Sequence, residues 1–206
     1  GITIQELCNA YATFACDGKY KKSTFIKKIL DSDGNVVYSH NIMSQKLVSS
    51  ETSYLLGQMM KRTITSGTCT SLASFDFEIH AKTGTNGTSD ENLNTDAISL
   101  AQTTKHTSCI WYFSKDNKTE NLLENVSTSQ LSPTLKMKAL FEKIYANNKP
   151  ENFKKPSGIT TLKLDAISYE NNLIELATIN TPERYIIEKE FSIKNMPTVL
   201  SKNFTY

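Results

Sequence analysis

Three segments of the chain carry apolar residues at helical spacing within an otherwise polar pattern. Each segment opens on a hydroxyl residue that can cap a helix, and Glu6 completes a capping box with Thr3. Each closes on a glycine or an asparagine, residues that commonly end a helix. The predicted amphipathic helices cover residues 4–15, residues from Ser49 or Ser50 to Thr65, and residues from Ser132 to the stop at Asn147-Asn148.

Between these helices, shorter runs rich in β-branched and aromatic residues predict strands. The predicted strands cover residues 25–30, 36–38, 77–85, 96–100 and 107–113. The pair Asp33-Gly34 favours a tight hairpin between the first two strands, and we expect the last two to pair antiparallel. The run 109–113 is the most apolar of the chain and is expected in a central, covered position.

The pattern changes after Pro150, where short strands joined by polar turns are predicted. These strands cover residues 159–167, 173–177 and 185–193. We therefore divide the chain into a mixed helical and β part, 1–150, and a β-rich tail, 151–206. This arrangement of helices and strands predicts an α+β fold.

The composition is that of an ordinary folded domain. Of the 206 residues, 38% are hydrophobic and 21% are charged. The net charge of +2, without a block of like charges, gives no support for nucleic-acid binding. No run approaches the length of a membrane span. Because the chain opens on Gly1 rather than on methionine, we expect it to be a piece of a longer protein.

Cysteine and histidine provide no candidate metal site. The four cysteines are widely spaced, without a Cys-x-x-Cys pair, and we interpret them as buried free thiols, with disulfides as the alternative. The three histidines are isolated from one another, so no metal site is predicted. We expect His80 to pack against a neighbour in its strand rather than to act as an acid or a base.

The stretch Lys82-Thr83-Gly84-Thr85 combines a positive charge, hydroxyls and a residue without a side chain at the end of a predicted strand. This chemistry suits the capture of a small anionic group close to the backbone. Each residue also has a plainer interpretation. Lys82 would be a surface lysine that extends to solvent, and Thr83 and Thr85 would be ordinary β-formers. The surroundings of the motif must decide between these interpretations, because Lys-Thr-Gly is only one of three signatures of serine β-lactamases and penicillin-binding proteins.

Further segments occur in the order in which that family has them. They are the first helix followed by Gly18, the hairpin around Asp33-Gly34-Asn35, the pair Gly67-Thr68, Asp96-Ala97, the strand that ends at Trp111, and a tail from Pro156-Ser157-Gly158 to Met196-Pro197-Thr198. Over nearly its whole length, the chain therefore resembles the C-terminal half of the transpeptidase domain of penicillin-binding proteins, most closely the bifunctional class A kind. The resemblance implies the C-terminal portion of a β-lactamase/transpeptidase-like α+β fold, which is an antiparallel sheet with flanking helices, here followed by a β-rich tail.

The resemblance also implies an activity, the D,D-transpeptidation that cross-links peptidoglycan. In that family a serine is acylated by the D-alanyl-D-alanine end of one stem peptide, and an amine of a second stem then takes the acyl group. Thr83, Gly84 and Thr85 are implied to bind the donor stem, and Lys82 to make its surroundings positive. The backbone N–H of Thr85 is implied to be one of two donors to the oxyanion.

The implied partners are peptidoglycan stem peptides, β-lactams and the N-terminal part of the same protein, with no nucleic acid and no cofactor. The implied location is the extracytoplasmic face of the bacterial cell membrane, with an anchor in an N-terminal segment that lies outside this chain. A C-terminal part taken alone should expose an apolar surface where the missing helices would pack, and a homo-oligomer is one way to cover it.

The nucleophile of the family is not found in this chain. Its Ser-x-x-Lys and Ser-x-Asn motifs precede the first helix in the family, and Ser23 with Lys27, like Ser132 with Lys136, has one residue too many for the first motif. Where the family usually has an aromatic residue and then Gly-Tyr-Thr, this chain has Ile98 and Ala101-Gln102-Thr103. The chain alone is therefore predicted to be inactive. A non-catalytic binding or scaffolding module is the alternative function.

Overall fold

The structure is a computed structural model that describes residues 1–89, 93–116, 118–126 and 132–204. Its helices are α1 (Ile4–Ala15), α2 (Ser50–Ser66), α3 (Pro133–Ile144) and α4 (Ala166–Glu170). Its strands are β1 (Lys19–Lys21), β2 (Lys28–Leu30), β3 (Val36–Ser39), β4 (Ser44–Lys46), β5 (His80–Gly87), β6 (Leu93–Gln102), β7 (Thr107–Phe113), β8 (Leu123–Glu124), β9 (Ile159–Asp165) and β10 (Ile186–Ser192). Short 3-10 turns lie at Thr70–Leu72, Thr119–Asn121, Glu183–Tyr185 and Ile193–Asn195. No helix in these ranges is both long and apolar enough to cross a bilayer.

The three predicted helices are confirmed, together with the residues that cap them. The Thr3 hydroxyl accepts from the backbone of Glu6, whose carboxylate accepts in return from the Thr3 N–H, so the capping box is complete. Ser49 and Ser132 accept backbone hydrogen bonds at the starts of α2 and α3. The predicted stop of α3 at Asn147-Asn148 lies beyond the observed end of the helix, which is Ile144.

The strand predictions are confirmed in part. Strand β7 has the predicted bounds, β3 and β10 agree within a residue, and β6 is longer than predicted. Strands β2 and β5 begin three residues later than predicted, and β9 ends at Asp165 because that residue caps α4. The predicted strand 173–177 is wrong, since Leu176 forms only isolated bridges there. The short pair β1 and β4 was not predicted.

The central sheet has the order β5–β6–β7, with β8 also pairing to β6, and all of its pairs are antiparallel. The expectation that the most apolar run, in β7, lies at the centre is wrong. Strand β6 lies between β5 and β7 and contains the fully buried Leu100, Ala101 and Gln102. Strand β7 is half-buried, and Phe113 at its end is exposed.

The register assigns the two faces of this sheet. Ala81, Thr83 and Thr85 pair with Ala101, Ser99 and Ala97, so these side chains share one face. Helix α3 covers that face, where the hydroxyl of Thr134 donates to Ser99 over 3.2 Å. Helix α1 covers the other face, where the amide of Gln102 donates to the carbonyl oxygen of Tyr11. The predicted sheet with flanking helices is confirmed.

The main core lies between the α3 face of the sheet, α2 and the turn that follows it. Its buried members are Ile64, Cys69, Leu72, Ile79, Ala81, Ala101, Met137, Phe141 and Tyr145. Its two aromatic rings, Phe141 and Tyr145, pack edge-on against each other and against the partly buried Phe75 and Phe77, with centroids 5.0–6.3 Å apart. Ala81 thus anchors the start of β5 in this core, immediately before the Lys-Thr-Gly motif.

In the tail, β9 and β10 form an antiparallel pair, and Asp165 joins that pair to α4 and the C-terminal segment. The Asp165 carboxylate is fully buried. It accepts from the backbone of Ile167 and Ser168 and from the side chains of Ser201 and Asn203, at 2.8–3.1 Å. Burial raises the pKa of Asp165, but these donors outweigh that effect and hold the pKa below its ordinary value.

Large apolar side chains are exposed around the hairpin β2–β3 and the segment after it. Phe25 is 90% exposed, Val37 67% and Met43 81%. An apolar surface of this kind agrees with the one that the sequence analysis expects. The four cysteines are free thiols. Their predicted burial is confirmed for Cys69 and wrong for Cys16, which is exposed, while Cys8 and Cys109 are half-buried.

Candidate functional site

Strand β5 lies at one edge of the described sheet, and the motif Lys82-Thr83-Gly84-Thr85 is in its middle. The carbonyl oxygen of Ala81 accepts from the Thr63 hydroxyl over 2.9 Å, and that of Thr83 accepts from the Lys82 ammonium over 2.5 Å. Both carbonyls therefore point away from β6. Because alternate residues of a strand present their backbone groups to the same edge, the N–H of Thr85 also faces the open edge.

The side chains of the motif are divided between the two faces of β5. Lys82 is exposed on the α1 face and forms no ion pair within the described ranges, so its charge remains available to an anion. Thr83 is half-buried and Thr85 exposed on the α3 face. A Cβ atom at Gly84 would meet only Ile98, at 3.8 Å. Packing within this chain therefore does not require a glycine there.

Thr68 is a site residue that the sequence reasoning did not identify. Its hydroxyl oxygen lies 2.6 Å from that of Thr83. Gly67 places it there, because the chain turns back so tightly after α2 that a Cβ atom at Gly67 would lie 2.7 Å from the Cα of Thr63. The available sequence signal was Gly67-Thr68 directly after a predicted helix, which indicated a stop but not a tertiary contact with β5.

A small cavity of about 70 Å³ adjoins the motif on the α3 face. Its lining residues include Thr68, Thr83, Thr85, Ser132 and Thr134. These hydroxyls supply polar groups within a lining that also includes Ala97, Ile98 and Val126, and the size of the cavity suits a water or a small anionic group rather than a peptide chain. A larger substrate would lie along the open edge of β5.

At the base of β5, Glu78 and His80 are buried and connect the strand to its surroundings. The Glu78 carboxylate hydrogen-bonds Gln58 at 3.0 Å, His80 at 3.3 Å and the backbone N–H of Phe153 at 3.1 Å. It also pairs with the ammonium of Lys61 at 3.3 Å. The His80 ring stacks on Phe153 with centroids 4.1 Å apart, so its predicted packing role is confirmed.

These contacts determine the titration of Glu78. Burial raises its pKa, but the hydrogen bonds with His80 and Gln58 and the charge of Lys61 outweigh burial and lower the pKa from 4.5 to about 2. A carboxylate with a lower pKa in the folded state stabilises the fold above its unfolded pKa. That contribution is lost as the pH falls from 4.5 towards 2.

We therefore expect protonation of Glu78 to lower the free energy of unfolding by about 2 kcal/mol between pH 7 and pH 3. Urea denaturation of the wild-type chain and of Glu78→Gln at both pH values measures it, because the variant keeps the shape but does not titrate. The difference in unfolding free energy between the two proteins should shrink by that amount at pH 3. A difference independent of pH would show that the Glu78 pKa is not depressed.

Comparison with known proteins places this geometry in a family. The model of the penicillin binding protein transpeptidase domain matches residues 1–146. Penicillin-binding protein 1F of Bacillus subtilis is 30% identical over 112 residues, which are 54% of this chain and 16% of that protein. Penicillin-binding protein 1A/1B of the same organism is 21% identical over 215 residues, which cover 99% of this chain and 22% of that protein.

Solved structures show the same fold. Penicillin-binding protein 1A from Haemophilus influenzae superposes with a TM-score of 0.73 at 18% identity, over 97% of this chain and 33% of that one. PonA1 from Mycobacterium tuberculosis, solved in complex with penicillin V, gives a TM-score of 0.60 at 22% identity, over 74% of this chain and 40% of that one. These likenesses confirm the predicted α+β fold.

The chain spans less than a quarter of the length of the two curated relatives described above. The family model nevertheless covers well over half of the chain and includes all three long helices and the whole of β5. The resemblance first indicated by the order of the motifs is thereby confirmed. The chain belongs to the family of penicillin-binding protein transpeptidase domains.

Proposed function

We propose that this chain is the donor-binding part of a serine-type peptidoglycan D,D-transpeptidase, and that it supplies the substrate strand but not the nucleophile. Membership of the family supports the reaction class. The residue roles rest on the open edge of β5, where the Thr85 N–H, the Lys82 ammonium and the Thr83 hydroxyl lie within four consecutive residues. In isolation the chain is inactive in this proposal.

The proposed reaction uses these groups as follows. The donor stem lies extended along the open edge of β5, and its terminal carboxylate accepts from the hydroxyls of Thr83 and Thr85 in the positive field of Lys82. A serine outside this chain attacks the carbonyl carbon of the penultimate D-alanine. The Thr85 N–H donates to the oxyanion that forms on the carbonyl oxygen. Collapse of this intermediate expels D-alanine, and the amine of a second stem then displaces the serine to form the cross-link.

The same groups would hold a β-lactam, whose carboxylate and carbonyl take the places of those of the stem. The relatives are named for penicillin binding, and the PonA1 structure holds penicillin V. We further propose that residues 1–150 form the transpeptidase part and 151–206 a C-terminal tail, a division supported by the end of the family match at 146. The proposed location is the extracytoplasmic face of the bacterial membrane, with the anchor elsewhere in the protein.

A fluorescent penicillin tests the proposal on the full-length protein. We expect a covalent adduct that survives denaturation, and a Ser-x-x-Lys serine, encoded before Gly1, as its attachment site. A full-length protein that forms no adduct would favour the alternative, a non-catalytic binding or scaffolding module. The 206-residue chain is the negative control, because under either hypothesis it should not be labelled.

Thr68 provides a sharper test of the carboxylate-binding role. We expect Thr83→Val in the full-length protein to slow penicillin acylation about 10- to 100-fold, because a hydrogen bond to a charged group is lost. Thr68→Val should slow it about fivefold, because Thr68 acts by orienting the Thr83 hydroxyl. The double variant should be no slower than Thr83→Val alone.

A penicillin methyl ester is the matched control for this pair. The ester has no carboxylate, so wild type and Thr83→Val should react with it at similar rates. Additive effects of the two substitutions would contradict a role of Thr68 through Thr83. Equal losses with the acid and the ester would contradict carboxylate binding.

A further inference from the structure

Two of the free thiols meet on the face of the sheet opposite α3. Cys8 lies in the middle of α1 and Cys109 in the middle of β7, and both are half-buried. Although they are far apart in sequence, they lie close enough for each thiol to shift the pKa of the other. The contact joins a helix to the strand on which it packs.

Contacts between α1 and the sheet position these two cysteines near each other. The side chain of Gln102 in β6 donates to the carbonyl oxygen of Tyr11, which holds α1 over that point of the sheet. Cys8 lies about one helical turn before Tyr11. Leu100 lies two residues before Gln102 on the same face, and Cys109 is its direct partner in β7. The helix contact at Gln102 therefore places α1 over the part of β7 that contains Cys109.

The other cysteines do not compete for this pairing. Cys69 is fully buried in the core on the α3 face, so the sheet separates it from Cys8 and Cys109. Cys16 is exposed beyond the C-terminal end of α1, about two helical turns from Cys8, which exceeds the reach of a disulfide within one helix. The structure therefore selects one of the pairings that four cysteines allow.

We propose that Cys8 and Cys109 are an oxidation site, whose disulfide joins α1 covalently to the central sheet. With oxidised glutathione as the oxidant, the Cys8 thiolate attacks one glutathione sulfur and expels glutathione thiolate. Cys109 then loses its proton and attacks the Cys8 sulfur, which expels the second glutathione. The protein loses two hydrogens, and its two electrons reduce one disulfide to two thiols.

The two cysteines also differ in the way that this order of steps requires. The hydrogen bond with Cys109 lowers the pKa of Cys8 and outweighs the opposite effect of burial. The same contact, together with burial, raises the pKa of Cys109. The contact that favours a thiolate at Cys8 therefore also keeps Cys109 next to the Cys8 sulfur, where it can resolve the mixed disulfide.

Peptide mapping of the Cys16→Ser chain after equilibration with oxidised glutathione tests the proposal. The substitution is needed because trypsin leaves Cys8 and Cys16 together in the fragment 1–19. We expect a non-reduced digest to contain fragment 1–19 linked to fragment 106–115, which holds Cys109, and a reduced digest to contain both separately. Glutathione that remains on Cys8, or both fragments recovered as free thiols, would overturn the proposal.

Thermal melting gives a second readout that does not depend on proteolysis. A cross-link between residues so far apart in sequence restricts the unfolded chain strongly, so the oxidised Cys16→Ser chain should melt about 5–10 °C above its reduced form. The matched control is Cys8→Ser/Cys16→Ser, whose melting temperature should be the same with and without oxidant. A linked digest without a rise in melting temperature would contradict the claim that the bond joins α1 to the folded sheet.

Discussion

Replacement of Thr85 by proline in the full-length protein is expected to slow acylation by a fluorescent penicillin about 100- to 1000-fold. Proline removes the one backbone N–H that the proposed mechanism directs at the oxyanion. The substitution should spare the sheet, because alternate residues of β5 pair with β6 and Thr85 presents its N–H to the open edge. The measurement is the second-order rate constant of labelling.

Thr85→Ala is the matched control, since it removes the hydroxyl and keeps the N–H. The rate constant of labelling of Thr85→Ala should fall by no more than about tenfold, which is the effect of one hydrogen bond to the carboxylate. Melting curves for both variants establish that the fold is retained. If Thr85→Pro is labelled within threefold of wild type, or if Thr85→Ala loses as much as Thr85→Pro, the N–H of Thr85 is not an oxyanion donor. In that case another group of the motif, such as the Lys82 ammonium, would have to stabilise the oxyanion.

The helices of this protein could be predicted from sequence because their signals are local. The capping box of Thr3 and Glu6 and the serine caps of α2 and α3 act within one turn, and the structure contains each of them. The same applies to the motif of β5, whose chemistry is contained in consecutive residues. Local signals of this kind need no knowledge of what lies across the fold.

The order of strands could not be predicted in this way. Strand β6 occupies the centre although it carries Ser99 and Gln102 and is followed by Thr103, three polar residues that look like surface residues in the sequence. Distant groups form hydrogen bonds with each of them: Thr134 bonds Ser99, the carbonyl oxygen of Tyr11 accepts from the amide of Gln102, and the Tyr145 hydroxyl lies 2.6 Å from that of Thr103. Tertiary partners decided the position of the strand, and the same is true of the Thr68 contact that sequence reasoning missed.

The environment of Gly57 is likewise set by a residue that is distant in sequence. It lies in the interior of α2, where alanine would normally be the better helix former by up to about 1 kcal/mol. A Cβ atom there, however, would lie 2.3 Å from Cε1 of His80. Moving the ring aside would break its contacts, because it is buried, stacked on Phe153 and hydrogen-bonded to Glu78. We expect Gly57→Ala to destabilise the chain by about 3 kcal/mol.

Urea denaturation measures this loss, and Gly87→Ala is the matched control. A Cβ atom at Gly87 would meet only the Asn94 side chain, at 3.8 Å, so that variant should stay within about 0.5 kcal/mol of wild type. A double-mutant cycle identifies the cause. In a His80→Ala background the space opposite Gly57 is open, and Gly57→Ala should then be neutral or slightly stabilising.

The Gly57→Ala substitution should also affect the candidate site, because His80 lies two residues before Lys82 in the strand that contains the motif. If the ring is displaced, the start of β5 moves away from α2, and the Thr63 bond to Ala81 that holds the strand edge is strained. Gly57→Ala in the full-length protein should therefore slow penicillin acylation beyond what its unfolded fraction explains. Loss of stability with unchanged acylation of the folded fraction would separate the two effects and show that α2 supports the fold without positioning the substrate strand.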